Sequence, residues 1–133
     1  MRRPAAGSRR ELSVKPASAG ERGRAAEVLA CRHLEHAGLR IVARNLRYRL
    51  GELDAVARDG PVWVFVEVRC RSRRGDAAAS IDRAKRGRIR RAAQLFLQQG
   101  FGDRWPPCRF DVVLVEGATV RWLRDAFVND EEM

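Results

Sequence analysis

The sequence contains few cysteines and no paired cysteine motif. Its three cysteines, Cys31, Cys70 and Cys108, are widely spaced, and no Cys-x-x-Cys pair occurs among the 133 residues. An odd number of scattered cysteines argues against a disulfide framework and against a structural zinc site. It fits a reducing compartment, so we expect a cytoplasmic protein.

Long apolar runs are absent as well. No stretch approaches the roughly 20 consecutive apolar residues that a membrane-spanning helix needs, so no membrane partner is expected. Residues 1–20 are basic and rich in Ala, Ser and Pro, without the apolar core of a secretory signal. We interpret residues 1–19 as a mobile basic tail, 20–128 as one domain, and 129–133 as a frayed acidic end.

Lysine is scarce, yet the chain is strongly basic. Lys15 and Lys85 are the only lysines among 27 basic residues, and the formal net charge is +10. Much of the excess lies in residues 69–91, which hold ten basic and two acidic residues. Such a patch is the electrostatic footprint of a polyanion binder. A solvated helix face in an arginine-rich protein is the alternative; we favour nucleic acid.

The spacing of apolar residues predicts an α/β fold with the element order α-β-β-β-α-β-β. One helix is predicted from Gly20 to Ala37, and a second from an N-cap at Ser80 to Gln99, with Gly100 as its stop. Strands are predicted over residues 39–46, 48–57, 62–68, 110–115 and 119–123. We therefore expect one mixed sheet of about five strands flanked by α-helices.

Two adjacent strands bring acidic residues together. Glu52 and Asp54 share a face of the second strand because side chains alternate along a strand. If residues 59 and 60 form a two-residue turn, Glu52 falls opposite Glu67 and Asp54 becomes its diagonal neighbour. The predicted hairpin therefore clusters three carboxylates.

Clustered, half-buried carboxylates need protonation, a cationic neighbour or a metal ion. Mg²⁺ takes oxygen ligands of this kind, so a divalent-cation site is one interpretation of the cluster. The other is a salt-bridged group in which Arg49 and Arg69 balance the acids. Spacing alone leaves both interpretations open.

Several motifs, taken together, resemble the YraN family of small bacterial proteins. They are GRAAExxA over residues 23–30, RNLRYRLGELD over 44–54, VFVEVRCR over 64–71, Lys85 in its basic helix, and CRFDVV over 108–113. That family is similar to the PD-(D/E)xK nuclease superfamily, especially archaeal-type Holliday junction resolvases. The resemblance therefore implies a restriction-endonuclease-like core within residues 20–128.

The resemblance also implies a set of site residues. The superfamily's sheet acids correspond to Asp54 and Glu67, and its helix-borne acid corresponds to Glu27. With Arg69, these residues form the expected catalytic set. The expected ligands of Mg²⁺ or Mn²⁺ are Asp54, Glu67 and Glu52.

One position departs from the superfamily pattern. Arg69 stands where the E-x-K signature has a lysine, and an arginine stays protonated and is a poor general base. Either the metal alone activates water, another residue such as Lys85 assists, or hydrolysis has been lost. Packing of the Lys85 stem, with its ammonium in water, is the alternative role for that lysine.

The leading hypothesis is a metal-dependent phosphodiesterase acting on nucleic acid, DNA in preference to RNA, with branched DNA as one candidate substrate. Contacts to the phosphate backbone are expected from Arg71, Arg73, Arg74, Lys85, Arg86 and Arg88. The second hypothesis is a non-catalytic nucleic-acid-binding module on the same fold, which Arg69 favours. The third is an adaptor that recruits an acidic protein. Resolvase-like relatives often pair, so a homodimer is a further expectation.

Overall fold

A computed structural model describes residues 19–70 and 81–127 of the chain. It contains two helices, α1 (Ala19–His36) and α2 (Arg83–Phe101), and five strands: β1 (Arg40–Tyr48), β2 (Gly51–Asp59), β3 (Val62–Cys70), β4 (Cys108–Glu116) and β5 (Thr119–Leu123). This is the predicted order of elements. Within the described ranges, neither helix has an apolar stretch long enough to cross a bilayer.

The five strands form one mixed sheet in the order β1-β2-β3-β4-β5. Strands β3 and β4 are parallel, and the other neighbouring pairs are antiparallel. Parallel neighbours need a long crossover connection, which α2 provides here. The mixed sheet flanked by helices is therefore confirmed, and β5 lies at one edge of it.

The core consists of two apolar layers, one on each face of the sheet. On one face α1 packs its Ala30 and Leu34 against small residues such as Ala55. On the other face α2 packs its Ile89 against Phe65 and other large side chains. Strand β3 contributes alternate residues to the two layers, which explains its nearly continuous apolar sequence.

Helix α2 begins later than predicted. Its N-cap is Asp82, whose carboxylate accepts a hydrogen bond from the Lys85 backbone N–H at 2.8 Å. The predicted cap, Ser80, lies outside the described residues. An aspartate cap satisfies one of the free N–H groups of the first turn and places a negative charge at the positive end of the helix.

Helix α2 also ends later than predicted. The helix continues through Gly100 to Phe101, and Gly102 closes it with a φ of 62°. Both glycines could end a helix, so sequence alone does not distinguish them. The Phe101 ring packs at 5.3 Å against Trp63 of β3, and this contact favours the longer helix.

The predicted register of the β2–β3 hairpin is wrong by one step at the turn. Asp59 pairs with Val62, so the turn residues are Gly60 and Pro61. Gly60 has a φ of +62°, a conformation that glycine adopts without strain. Pro61 lacks an N–H group and belongs in the turn, whereas the predicted register placed it in the ladder. Continuing the observed register brings Asp54, rather than Glu52, level with Glu67.

Gly51, the first residue of β2, lies against the backbone of α2. A Cβ atom at this position would overlap the carbonyl oxygen of Arg88. The absence of a side chain therefore lets α2 approach the β1–β2 turn closely. Because α2 also carries Lys85, this contact helps to set where that lysine lies.

We predict that Gly51→Ala destabilises the protein by about 2 kcal/mol or more, because backbone rather than a flexible side chain must move to admit the methyl group. Gly100→Ala is the control, because a Cβ atom there meets nothing within 4 Å. That change should stabilise α2 by about 0.5–1 kcal/mol. Urea unfolding of both variants measures the difference, and equal effects would contradict the close contact.

Candidate active site

The carboxylate of Asp54 lies where the β2–β3 ladder stops. Backbone pairing extends from the turn to the Ala55–Val66 pair. Beyond this pair, the Val68 N–H donates to Asp54 Oδ2 at 2.8 Å. A side-chain oxygen thus takes the place of a backbone acceptor, which satisfies the β3 amide and fixes the carboxylate.

Asp54 and Glu67 form a desolvated carboxyl pair. The Glu67 side chain is 8% exposed. Burial, followed by the charge of Glu67, raises the pKa of Asp54 from 3.8 to about 7. A hydrogen bond between the two carboxyl groups acts in the same direction, whereas the Val68 N–H opposes it. Below about pH 7 the pair therefore holds a proton that a cation could replace.

Lys85 reaches this pair from α2. Its Nζ lies 3.5 Å from Glu67 Oε2, and its side chain is 41% exposed. The sequence suggested Lys85 as an assisting residue, with its ammonium in water as the alternative. The ammonium contacts Glu67 while staying accessible to solvent, so a positive charge lies at the mouth of the site.

Glu27 approaches the pair from α1. Its carboxylate has a side-chain hydrogen bond with Asn45, which opposes the effects of burial and of the Asp54 charge that raise the pKa of Glu27. Asn45 has a φ of +56°, so its backbone adopts a left-handed conformation within β1. The predicted helix acid is therefore beside Asp54, held by a residue of the neighbouring strand.

Glu52 is not brought into the carboxyl pair. Its side chain is 59% exposed and forms an ion pair of 3.7 Å with Arg47, which is 81% exposed. Within residues 19–70 and 81–127, no three His, Cys, Asp or Glu side chains form a ligand group. The predicted opposition of Glu52 and Glu67 fails because the hairpin register differs, and the ligand role of Glu52 stays a prediction.

Arg69 lies two residues beyond Glu67 on β3 and is half-buried beside Leu114 of β4. No hydrogen bond or ion pair of its side chain falls within the described part of the chain. Among residues 19–70 and 81–127, the basic side chain that forms an ion pair with Glu67 is that of Lys85. The alternative salt-bridged cluster with Arg49 and Arg69 is replaced by Lys85–Glu67 and Arg47–Glu52 pairs.

Two clefts border the acids. The α2-side cleft has a volume of about 350 Å³ and is lined by Arg47, Tyr48, Arg49, Leu50, Gly51, Glu52, Glu67, Lys85, Arg88 and Ile89. The α1-side cleft has a volume of about 480 Å³ and is lined by Gly20, Gly23, Arg24, Glu27, Asn45, Arg47, Glu52 and Asp54. Four basic residues and two acids line the first, so it combines carboxylates with a cationic rim.

The predicted phosphate-binding residues differ in their placement. Arg88 and Lys85 line the α2-side cleft. Arg86 is half-buried instead: its guanidinium donates to the Ile81 carbonyl at 2.7 Å and lies 6.0 Å from the Phe127 ring. The other three predicted contacts, Arg71, Arg73 and Arg74, lie outside the described residues.

Sequence reasoning missed the place of two arginines in the cleft: Arg47 was not considered, and Arg49 was considered only as a salt-bridge partner of the acids. Arg47 and Arg49 lie at the β1–β2 turn and face the α2-side cleft. Their positive charge does not appear as a basic patch in the sequence, because nearby acidic residues balance it. The signal that could have found them is Arg-x-Arg directly before the Gly51 that starts the acidic strand.

A second buried acid has a different role. The side chain of Asp111 is fully buried and accepts hydrogen bonds from Arg109, the Trp122 indole and the Asp125 backbone N–H. Arg109 also pairs with Asp59 at 3.1 Å. Both oxygens of Asp111 are thus engaged by donors of the protein, so it joins β4 to the end of β5 and remains outside the candidate site.

The sequence profile of the uncharacterised protein family UPF0102 matches residues 26–115. The chain belongs to this family. It is 52% identical over 120 residues to a UPF0102 protein of Xanthomonas campestris pv. campestris (strain B100), covering 87% of this chain and 98% of that relative. A UPF0102 protein of Dechloromonas aromatica (strain RCB) is 52% identical over 112 residues, covering 83% and 91% respectively.

A UPF0102 protein of Shewanella sp. (strain W3-18-1) is 51% identical over 107 residues, 79% of this chain and 97% of the relative. Membership in UPF0102 confirms the resemblance to the YraN family. The matched region includes Glu27, Asp54, Glu67 and Lys85.

We predict that Asp54→Asn stabilises the metal-free protein above neutral pH. The pKa of Asp54 is higher in the folded state than its ordinary value of 3.8, so its contribution is fully present below about pH 4 and is lost as pH rises through about 7. The variant should exceed wild type by about 2–4 kcal/mol at pH 8 and match it near pH 4. Urea unfolding in EDTA across this range measures the difference.

Asp59→Asn is the control with the opposite sign. Hydrogen bonds from Arg124 and Arg109 lower the pKa of Asp59, so its contribution is present above the ordinary value and lost as pH falls. This variant should therefore be less stable than wild type at pH 8. A difference between Asp54→Asn and wild type that is constant from pH 4 to pH 8 would contradict the proposed burial of charge.

Proposed function

We propose that this UPF0102 protein is a divalent-metal-dependent phosphodiesterase that hydrolyses nucleic acid, with DNA preferred over RNA. The observation that carries the proposal is the carboxyl pair of half-buried Asp54 and buried Glu67, which faces Lys85 at the edge of a cleft with a cationic rim. Pairs of acids that are held together against repulsion are typical of sites that bind a cation.

The residues fit Mg²⁺ or Mn²⁺ by their chemistry. The pair supplies carboxylate oxygens, one of which binds a proton up to about pH 7, as expected where a positive charge is required. Mg²⁺ commonly uses one or two carboxylates and completes its shell with water and substrate phosphate. Asp54 and Glu67 would hold the ion, while Glu27 and Glu52 would act through water. A bound divalent ion supplies a Lewis acid that activates water and offsets phosphoryl charge.

The cleft suits a polyanion. Arg47, Arg49 and Arg88 are exposed at its rim, and Lys85 belongs to the first turn of α2, at the positive end of that helix. The Asp82 carboxylate already caps this end of α2, but the four basic residues that line the cleft outnumber its two acids. This excess of positive charge supports phosphate binding at this end of α2.

Hydrolysis needs attack by water and departure of an ester oxygen. In the proposed reaction, the water oxygen forms a bond to phosphorus and the water gives up a proton to solvent, one P–O ester bond breaks, and the departing oxygen takes a proton from solvent. Lys85, fixed by Glu67, orients the scissile phosphate and offsets the charge that develops on its oxygens. Arg88 and Arg49 hold the flanking phosphates.

A non-catalytic nucleic-acid-binding module is the second candidate. Arg69 favours it, because the superfamily that UPF0102 resembles has a lysine at this position. Lys85 favours the enzyme, because it brings an ammonium group to the same carboxylate from another element. A cytoplasmic location and pairing of two chains remain part of the proposal.

We predict that Mn²⁺ binds the wild type and that Asp54→Asn and Glu67→Gln both abolish this binding. With Mg²⁺ or Mn²⁺, each change should lower cleavage of labelled DNA at least about 100-fold, because it removes a ligand of the ion. Calorimetry measures metal binding, and gel assays on single-stranded, duplex and branched DNA measure cleavage.

Asp103→Asn is the matched control for these two variants, because Asp103 is an exposed acid in the turn after α2. It should bind metal and cleave DNA as the wild type does. A wild type that binds DNA but neither binds Mn²⁺ nor cleaves any of the substrates would support the non-catalytic module instead.

We further predict that Lys85→Ala slows cleavage about 100-fold, whereas Arg69→Ala slows it less than about tenfold. The reason is that Lys85, and not Arg69, contacts Glu67. The affinity for Mn²⁺ should be retained or increased in Lys85→Ala, since a competing cation has been removed from Glu67. A larger loss with Arg69→Ala, or loss of metal affinity with Lys85→Ala, would contradict this assignment.

A further inference from the structure

The β1–β2 turn carries an exposed leucine beside the candidate active site. Leu50 is 53% exposed, and with Arg49 it forms the two-residue connection between Tyr48 and Gly51. All four residues line the same cleft as Glu67 and Lys85. A large apolar side chain thus stands at the rim of a charged site.

This turn departs from the usual chemistry of a hairpin. Two-residue hairpin turns favour glycine, asparagine or aspartate in conformations of positive φ. Arg49 and Leu50 do not have a positive φ. The turn conformation does not require either residue type. Both residues are therefore explained better by what they present to a ligand.

The turn is also held rigidly. Gly51 lies against the Arg88 backbone so closely that a methyl group would not fit. Tyr48 is half-buried and packs against the core layer on the α2 face. Leu50 is therefore presented by an anchored element. Its insertion into a ligand would restrict few additional rotatable bonds and so would cost little conformational entropy.

We propose that Leu50 is a wedge that separates stacked bases, so that the protein selects duplex DNA whose strands part next to the scissile phosphate. Arg47 and Arg49 line the same cleft as the wedge and would bind phosphates of the opened step. Their charges complement DNA, and the exposed Arg47–Glu52 ion pair is weak enough to open for a phosphate.

The substrate class follows from combining an apolar tip with arginines. Apolar side chains inserted between base steps unstack them, and the loss of stacking costs a few kcal/mol per step. The bases at the junction of a fork are already unstacked, so this cost does not arise. A fork should therefore bind more tightly than a fully paired duplex. The inference rests on the proposed function, because it assumes that the cleft binds nucleic acid.

The test compares binding of two DNA molecules with equal numbers of phosphates, a fully paired duplex and a fork, in EDTA so that no cleavage occurs. Wild type should bind the fork about tenfold more tightly, and 2-aminopurine at the junction should brighten as its stacking is lost. Leu50→Ala should reduce the preference to about twofold or less while duplex affinity stays nearly unchanged. Leu50→Met should retain it.

Val42→Ala is the control, because Val42 of β1 is 40% exposed and does not line the cleft. It should behave as wild type. Equal binding of fork and duplex by wild type and Leu50→Ala would overturn the wedge and leave the proposed function standing. Absence of binding to either DNA would overturn the proposed function as well. A dimer in sedimentation that Leu50→Ala dissociates would identify Leu50 as a contact between copies and overturn the wedge.

Discussion

The hydrogen bond from the Val68 N–H to the Asp54 carboxylate connects the fold of this UPF0102 protein to its candidate chemistry. Where β2 and β3 stop pairing, the β3 amide would lose its partner, and the side chain of β2 supplies one at 2.8 Å. The same bond fixes half-buried Asp54 next to buried Glu67. The hydrogen bond that satisfies this backbone N–H group thus also holds together two acids that repel each other.

Groups from the surrounding elements offset this repulsion. Lys85 balances Glu67 from α2, and Asn45 holds Glu27 from β1. The position of α2 depends in turn on Gly51, which admits the helix backbone at close range. The carboxyl pair costs stability at neutral pH, and such a cost within an otherwise well-packed sheet is typical of a site kept for binding or catalysis.

Much of the fold was predictable because apolar periodicity is a local property. The strand over residues 119–123 was placed correctly, and the first helix was placed within one residue at each end. The hairpin register was not, because Gly60-Pro61 and Asp59-Gly60 are both plausible turns until the missing N–H of Pro61 is considered. Strand alternation placed Asp54 and Glu67 in one cluster, and the family resemblance singled out these two acids and added Glu27. The contact of Lys85 and the position of Arg47 and Arg49 depend on packing between distant elements.

By itself the sequence determined the element order, the two-faced burial of β3 and the excess of positive charge, since these follow from residue type and spacing. Tertiary structure alone decided which cation contacts Glu67, which acid lies level with it and how far the pKa of Asp54 rises. The physical reason is that burial, register and ion pairing depend on distances between residues far apart in the chain. A shift of one residue in a turn changes all three.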